Sequence, residues 1–229
     1  MRGFFNVEII SFGICVFLLC SCNTKTSEPE NKNDQKTVRD NTPEDTMKII
    51  MCFGNSLTAG YGVDVNEAYP ALLQKKVDSL GLKYKVVNAG LSGETSAGGV
   101  NRIDWVLRQK VDIFILELGA NDGLRGINVK VTKQNLQQII DKVKEISPGT
   151  KIVLAGMRIP PSMGDAYTKE FNKIFPDLAK KNNIALIPFL LDGVGGESKF
   201  NQGDGIHPTA EGYKIVTENI WKVLKEQLK

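Results

Sequence analysis

Beyond residue 46 the chain breaks into short apolar runs separated by longer segments in which apolar residues recur every three or four positions. Five runs, at 48–53, 84–88, 111–118, 151–157 and 184–188, are strand-length, partly β-branched and nearly free of polar alternation. Such runs predict strands buried on both faces of a parallel sheet. Between them lie helical stripes. Tyr69, Leu72, Leu73, Val77 and Leu80 form one that stops at Gly81; Leu136, Ile139, Ile140, Val143 and Ile146 form another, capped by Thr132 and ended by Pro148-Gly149. Tyr167, Phe171, Ile174, Phe175 and Leu178 predict a single helix kinked at Pro176, and Tyr213, Val216, Ile220, Val223 and Leu224 a last one. Strands alternating with helices call for right-handed crossovers. The expected fold is therefore α/β: a three-layer α/β/α sandwich around a five-stranded parallel sheet.

The first 46 residues follow neither pattern. Arg2 precedes an apolar stretch at 9–19 that ends in Leu19-Cys20-Ser21-Cys22. A bilayer needs roughly 20 apolar residues in a spanning helix, so this shorter stretch predicts an export segment. Its end resembles a bacterial lipobox, with leucine three places and a small residue one place before Cys22. The resemblance implies cleavage ahead of Cys22, lipidation of its thiol, and a membrane-tethered protein facing the periplasm or cell surface. A plain cleaved secretory signal or an uncleaved anchor fits the same residues. Residues 23–46 contain Val38 as the only large apolar side chain, too little to bury for order. They are expected to be a disordered polar tether with a reach of about 25 to 30 Å. The chain thus divides into a lipoprotein-type signal peptide (1–22), a tether (23–46) and one globular domain (47–229).

Composition narrows the chemistry. With 229 residues, 41% hydrophobic and 24% charged, the chain suits one core plus terminal sequence. A formal charge of +3, with lysines spread along the sequence, provides no electrostatic footprint for nucleic acid. Three of the four cysteines fall in the first 22 residues, leaving Cys52 alone in the domain and no disulfide framework there. Tetrahedral zinc needs three or four ligands, and the chain has one histidine. No metal is expected. The chain shows no strand-to-helix glycine loop of the dinucleotide-binding type, and no cofactor is expected either.

That single histidine shapes the functional reading. Cys52-Phe53-Gly54-Asn55-Ser56-Leu57 ends the first strand in a glycine-punctuated turn with a hydroxyl at its apex, and strand ends are where open α/β sheets keep their sites. A serine hydroxyl is a weak nucleophile without an adjacent base, so the reading of Ser56 as nucleophile requires His207. His207 sits in Asp204-Gly205-Ile206-His207-Pro208, three places after a carboxylate. In isolation, Gly-Asn-Ser is ordinary turn chemistry and a lone histidine is more often structural. The topology joins them: loops following all five strands open on one sheet edge, where Ser56, Gly93, Asn121, Asp204 and His207 can converge.

Taken together, the blocks around Ser56, Asn88-Ala89-Gly90-Leu91-Ser92-Gly93-Glu94-Thr95, Gly119-Ala120-Asn121-Asp122-Gly123-Leu124-Arg125-Gly126 and Asp204-Gly205-Ile206-His207-Pro208 resemble the SGNH hydrolase superfamily, the GDSL esterases and lipases. The likeness spans residues 47–229 and is greatest to the exported acyl-thioesterase, lysophospholipase and arylesterase branch. It implies a flavodoxin-like fold, Ser56 as nucleophile, His207 as base then acid, Asp204 as orienting carboxylate, and an oxyanion hole from the Ser56 and Gly93 N–H groups and the Asn121 amide. The family's first block usually reads Gly-Asp-Ser-Leu; here Asn55 replaces the aspartate, keeping one acceptor oxygen and gaining an NH₂ donor. Glu117 reads first as a hydrogen-bonded structural carboxylate, with a minor contribution to the site's electrostatics as the alternative. Arg125 and Arg158 lie on loops at the site's edge.

The leading expectation is hydrolysis of a lipid-like acyl or aryl ester, or a thioester, through an acyl-enzyme on Ser56. Two alternatives use the same residues: a carbohydrate O-acetyl esterase, and a lipoprotein that binds an acylated ligand without cleaving it. Expected partners are a small-molecule or lipid ester and a membrane reached through the lipidated N-terminus; oligomeric state is not legible.

Overall fold

The computed structural model describes residues 47–228; the expected signal peptide with Cys22 and the expected tether lie outside the described residues. In chain order the elements are β1 (Lys48–Gly54), α1 (Ser56–Ala59), α2 (Tyr69–Ser79), β2 (Tyr84–Gly90), α3 (Ser96–Val106), β3 (Ile113–Glu117), α4 (Ala120–Leu124), α5 (Val129–Ile146), β4 (Lys151–Ala155), α6 (Asp165–Phe171), α7 (Ile174–Asn182), β5 (Ala185–Ile187) and α8 (Ala210–Leu224). All strand pairs are parallel, in the order β2-β1-β3-β4-β5. That is the flavodoxin-like doubly wound order, whose switch point lies beside the first strand.

Burial explains the apolar runs. β3 is buried throughout, and β1 and β4 are buried after their first residues, whereas β2 and β5 at the sheet's edges are half-exposed. Helices close both faces: α2 packs on α8, and α3 on α5, which in turn touches α6 and α7. Leu136, Ile139, Ile140 and Val143 of α5 and Tyr213, Val216 and Ile220 of α8 are fully covered. The three-layer architecture is as expected.

Three local expectations need correction. Thr132 does not cap α5: the cap is Asn128, which accepts from the Lys130 N–H, and Thr132 lies buried a turn inside the helix. Val129 carries the apolar stripe two turns further back than Leu136, where the sequence reading began it. Tyr167 to Leu178 is two helices, broken at Asn172 and Lys173. Pro176 falls in the first turn of α7, where its missing N–H costs no helical bond, so it marks a helix start and produces no kink. Helix α3 escaped notice because Gly98, Gly99 and Asn101 dilute its stripe, leaving Ile103 and Val106 as its large buried residues. Gly99 lies against Leu118, Ile139 and Phe53, so α3 comes close to the sheet only because that side chain is absent.

Candidate active site

The first turn is built by close approach. Gly54 ends β1, and a Cβ there would collide with the Thr58 hydroxyl and the Glu117 carboxylate. Asn55 then caps the four-residue α1, its Oδ1 accepting from the Leu57 N–H at 3.0 Å. Its Nδ2 donates to Glu117 Oε1 at 2.8 Å, while its backbone N–H donates to Glu117 Oε2 at 3.0 Å. Thr58 Oγ1 adds a third donor to Glu117 at 2.7 Å. These partners fix the orientation of the Asn55 amide: oxygen toward a donor, nitrogen toward an acceptor. Glu117 is fully buried, and burial pushes its pKa up to about 8 against the pull of the Thr58 and Asn55 hydrogen bonds. It is the structural carboxylate expected from sequence, and it anchors the turn that carries Ser56.

Ser56, nearly buried at the start of α1, meets the only histidine in the chain: His207 Nε2 lies 2.8 Å from Ser56 Oγ. His207 Nδ1 lies 2.6 Å from Asp204 Oδ2. Asp204 Oδ1 accepts from the backbone N–H groups of His207 and Ile206, both at 3.0 Å. These bonds, led by the His207 N–H and side chain, hold the Asp204 carboxyl down at about 2. An ionised carboxylate only accepts, so Nδ1 carries the proton and Nε2 is free to accept from the Ser56 hydroxyl. A second acceptor for that hydroxyl, Asn55 Oδ1, is farther at 3.4 Å. Because the pKa of Asp204 is depressed, its contribution to stability is present above the ordinary carboxylate pKa and is lost as pH falls toward about 2.

Two contacts that sequence did not suggest hold the histidine loop in place. Gln202 Nε2 donates to Tyr61 O at 2.7 Å and to Pro208 O at 2.9 Å, tying the His207 segment to the chain after α1. The Tyr61 ring lies against the imidazole, centroids 4.7 Å apart. The only signal available was the tyrosine's position five places beyond Ser56.

Gly93 and Asn121 approach from the second and third strand ends. Gly93 has φ +80°, a left-handed conformation suited to glycine, and its carbonyl accepts from Arg125 Nη2 at 3.1 Å. Asn121 Nδ2 donates to Glu94 O at 3.0 Å, leaving its second N–H for another acceptor. Behind them Glu94 is paired with Arg102 at 2.5 Å, and Arg102 Nη2 also donates to Ala89 O at 2.8 Å. Asp122 is buried and takes Ser96 N at 2.8 Å, fixing α4 against α3. Ser56, Gly93, Asn121 and His207 all line one cavity of about 450 Å³, with Asp204 behind the imidazole. Its other walls are largely apolar: Leu124, Met157, Ile159, Pro161, Phe189 and Leu191. Arg158 stands at this cavity stacked over Phe189 at 4.7 Å, while Arg125 braces the Gly93 loop. Among the described residues, no cluster of His, Cys, Asp and Glu could hold a metal ion.

A strand-end serine hydrogen-bonded to a histidine that is held by an ionised carboxylate, on a doubly wound sheet, defines a serine hydrolase acting on esters. The chain belongs to the GDSL-like lipase/acylhydrolase family, which matches residues 52–215. It is 38% identical over 188 residues to esterase TesA of Pseudomonas aeruginosa, covering 82% of this chain and 92% of that one. It is also 38% identical over 182 residues to the thioesterase 1/protease 1/lysophospholipase L1 of Escherichia coli, covering 79% of this chain and 84% of that one. A crystal structure of TesA superposes with a TM-score of 0.76 at 38% identity, covering 79% of this chain and all of the other. The family likeness read from the four motif blocks is thereby borne out.

Proposed function

We propose that the chain hydrolyses lipid-like acyl or aryl esters, thioesters included, through an acyl-enzyme on Ser56. His207 Nε2 takes the Ser56 proton as Oγ attacks the carbonyl carbon, and Asp204 stabilises the imidazolium that forms. The oxygen becomes negatively charged and is met by the N–H groups of Ser56 and Gly93 and the free amide N–H of Asn121. Donors fixed in place before reaction stabilise that charge better than water does, each by about 3 to 4 kcal/mol where measured. The imidazolium then protonates the departing alcohol or thiol. A water, deprotonated by the same nitrogen, attacks the acyl carbon; the imidazolium returns that proton to Ser56 Oγ as its bond to the acyl carbon breaks, and the acid is released.

The observation that carries this reading is the Ser56–His207–Asp204 chain at 2.8 and 2.6 Å, at the wall of an apolar cavity. The cavity wall favours an acyl or aryl group over a glycan acetyl ester, whose sugar would need polar partners. Fluorophosphonate labelling followed by peptide mapping checks the nucleophile: an adduct on Ser56 is expected, and none would favour a binding protein. On p-nitrophenyl esters, kcat/KM is expected to rise by roughly tenfold or more from acetyl to octanoyl, since each buried CH₂ contributes about 0.8 kcal/mol. A preference for acetyl would return the reading to the O-acetyl esterase. The apolar segment before Cys22 supports export and thiol lipidation, with the domain facing the periplasm or cell surface. Loss of membrane attachment in Cys22→Ser is the matching test.

A further inference from the structure

In a sheet whose strands are all parallel, the strand starts share one rim and the strand ends the opposite one. Ser56 and His207 lie at the rim of strand ends, while β1 begins at Lys48 on the other. The register places Lys48 beside Tyr84 and Ile113 beside Lys151, and Lys151 Nζ reaches Gln227 O, so the segments before the strands and after the helices form one continuous surface. Met47, the first described residue, stands on this rim immediately before β1.

This rim is more basic than the one around the cavity, while large apolar side chains are exposed on both, Tyr61, Leu124 and Ile206 among those at the cavity. Exposed Lys48, Arg108, Lys110, Lys180, Lys181 and Lys225 project along it. Its carboxylates are fewer, and two are engaged: Asp112 accepts from the Ile49 N–H and pairs with Lys110, and Glu145 pairs with Lys142. Lysines complementing helix C-termini would account for part of this charge. They would not account for the apolar side chains among them: Trp105 is 65% exposed, Met47 61%, Leu80 59% and Ile146 42%. Around the cavity the charges nearly balance, with exposed Asp64, Asp165, Asp192, Glu197 and Asp204 set against exposed Arg125, Lys130, Arg158 and Lys199.

We propose that the rim of strand starts is a docking face for an anionic lipid bilayer, which holds the domain with its cavity turned away from the membrane that its N-terminus approaches. Basic side chains meet the lipid phosphates, and Trp105, Met47 and Leu80 enter the headgroup layer, where an indole is favoured. The near balance of charge on the cavity rim leaves the basic face as the preferred orientation. The enzyme then receives esters from the aqueous side instead of drawing them from the bilayer beneath it.

The test uses residues 23–229, which exclude Cys22 and so leave the lipidation reading untouched; the solved TesA chain matches 79% of this chain over its whole length, the extent expected of the domain alone. Co-sedimentation is measured with phosphatidylcholine vesicles, with and without about one third phosphatidylglycerol. Binding is expected to the anionic vesicles only, and to be lost at about 0.5 M salt. Arg108→Glu/Lys110→Glu and Trp105→Ala should each weaken it by roughly tenfold, and Lys130→Glu/Lys199→Glu on the cavity side should not. Turnover of a soluble p-nitrophenyl ester should continue in the bound state. Equal binding to neutral vesicles, indifference to the Arg108/Lys110 reversal, or loss of turnover on binding would each overturn the proposal.

Discussion

Ser56→Ala and His207→Ala are each expected to lower kcat by about 10⁵ to 10⁶-fold, and the double variant by no more than either alone. The reason lies in the geometry: the acyl-enzyme forms only when His207 Nε2 takes the Ser56 proton across 2.8 Å, and among the described residues Ser56 Oγ meets no other side-chain base. Asp204→Asn should cost roughly 10⁴-fold, because an amide facing Nδ1 can donate to it and so favours the tautomer with the proton on Nε2. The Ser56 turn is held by Glu117 and the His207 loop by Gln202, so all three variants should fold, Asp204→Asn without the stability its ionised carboxylate adds. Single-turnover kinetics on an octanoyl p-nitrophenyl ester, with thermal melts as control, measure all four variants. Losses that multiply in Ser56→Ala/His207→Ala would mean that the two side chains act separately and that the acyl-enzyme route is wrong.

The sequence disclosed the architecture because parallel sheets write themselves as continuous apolar runs, and β1, β3 and β4 are buried on both faces. It disclosed the convergence of Ser56 and His207, 151 positions apart, because one histidine allowed one pairing and parallel topology allowed one meeting place. It was silent where packing replaces pattern. Helix α3 depends on a glycine pressed against Leu118, a contact with no periodicity to announce it. The brace from Arg125 to the Gly93 carbonyl and the tie from Gln202 to Tyr61 are bonds between loops, which no local spacing encodes. The break between α6 and α7 was misplaced for a related reason: proline is legible as a breaker, but whether it starts or bends a helix is decided by what packs around it.

Replacing Asn55 with the family's aspartate is expected to leave an active enzyme at pH 6 and an impaired one at pH 9, a pH dependence the parent should lack. Judged by the acceptor that caps α1, which both residues supply, the exchange would be near-neutral. The structure shows the other half of the amide at work, with Nδ2 donating to a fully buried Glu117 at 2.8 Å. In the parent, burial already lifts Glu117 to about 8, above its ordinary 4.5. Folding therefore retains a proton that the unfolded chain has released, and stability falls as pH rises from about 4.5 to about 8. Once that proton leaves, the parent's carboxylate still faces three donors, the Asn55 N–H and NH₂ and the Thr58 hydroxyl, so the Ser56 turn survives. In Asn55→Asp two carboxyls would meet at the same contact, and like charges that close require a shared proton. Its loss would push the pair apart and carry the Ser56 backbone with it; a shift of about 1 Å at a nucleophile can cost 10²-fold in rate. Profiles of kcat/KM and Tm from pH 6 to 10 for parent and variant decide the matter. Superimposable profiles would show that Glu117 does not sense residue 55. An Asn55→Asp/Glu117→Gln variant, in which the new amide can donate to the new carboxylate, should regain a flat profile if the shared proton is the cause.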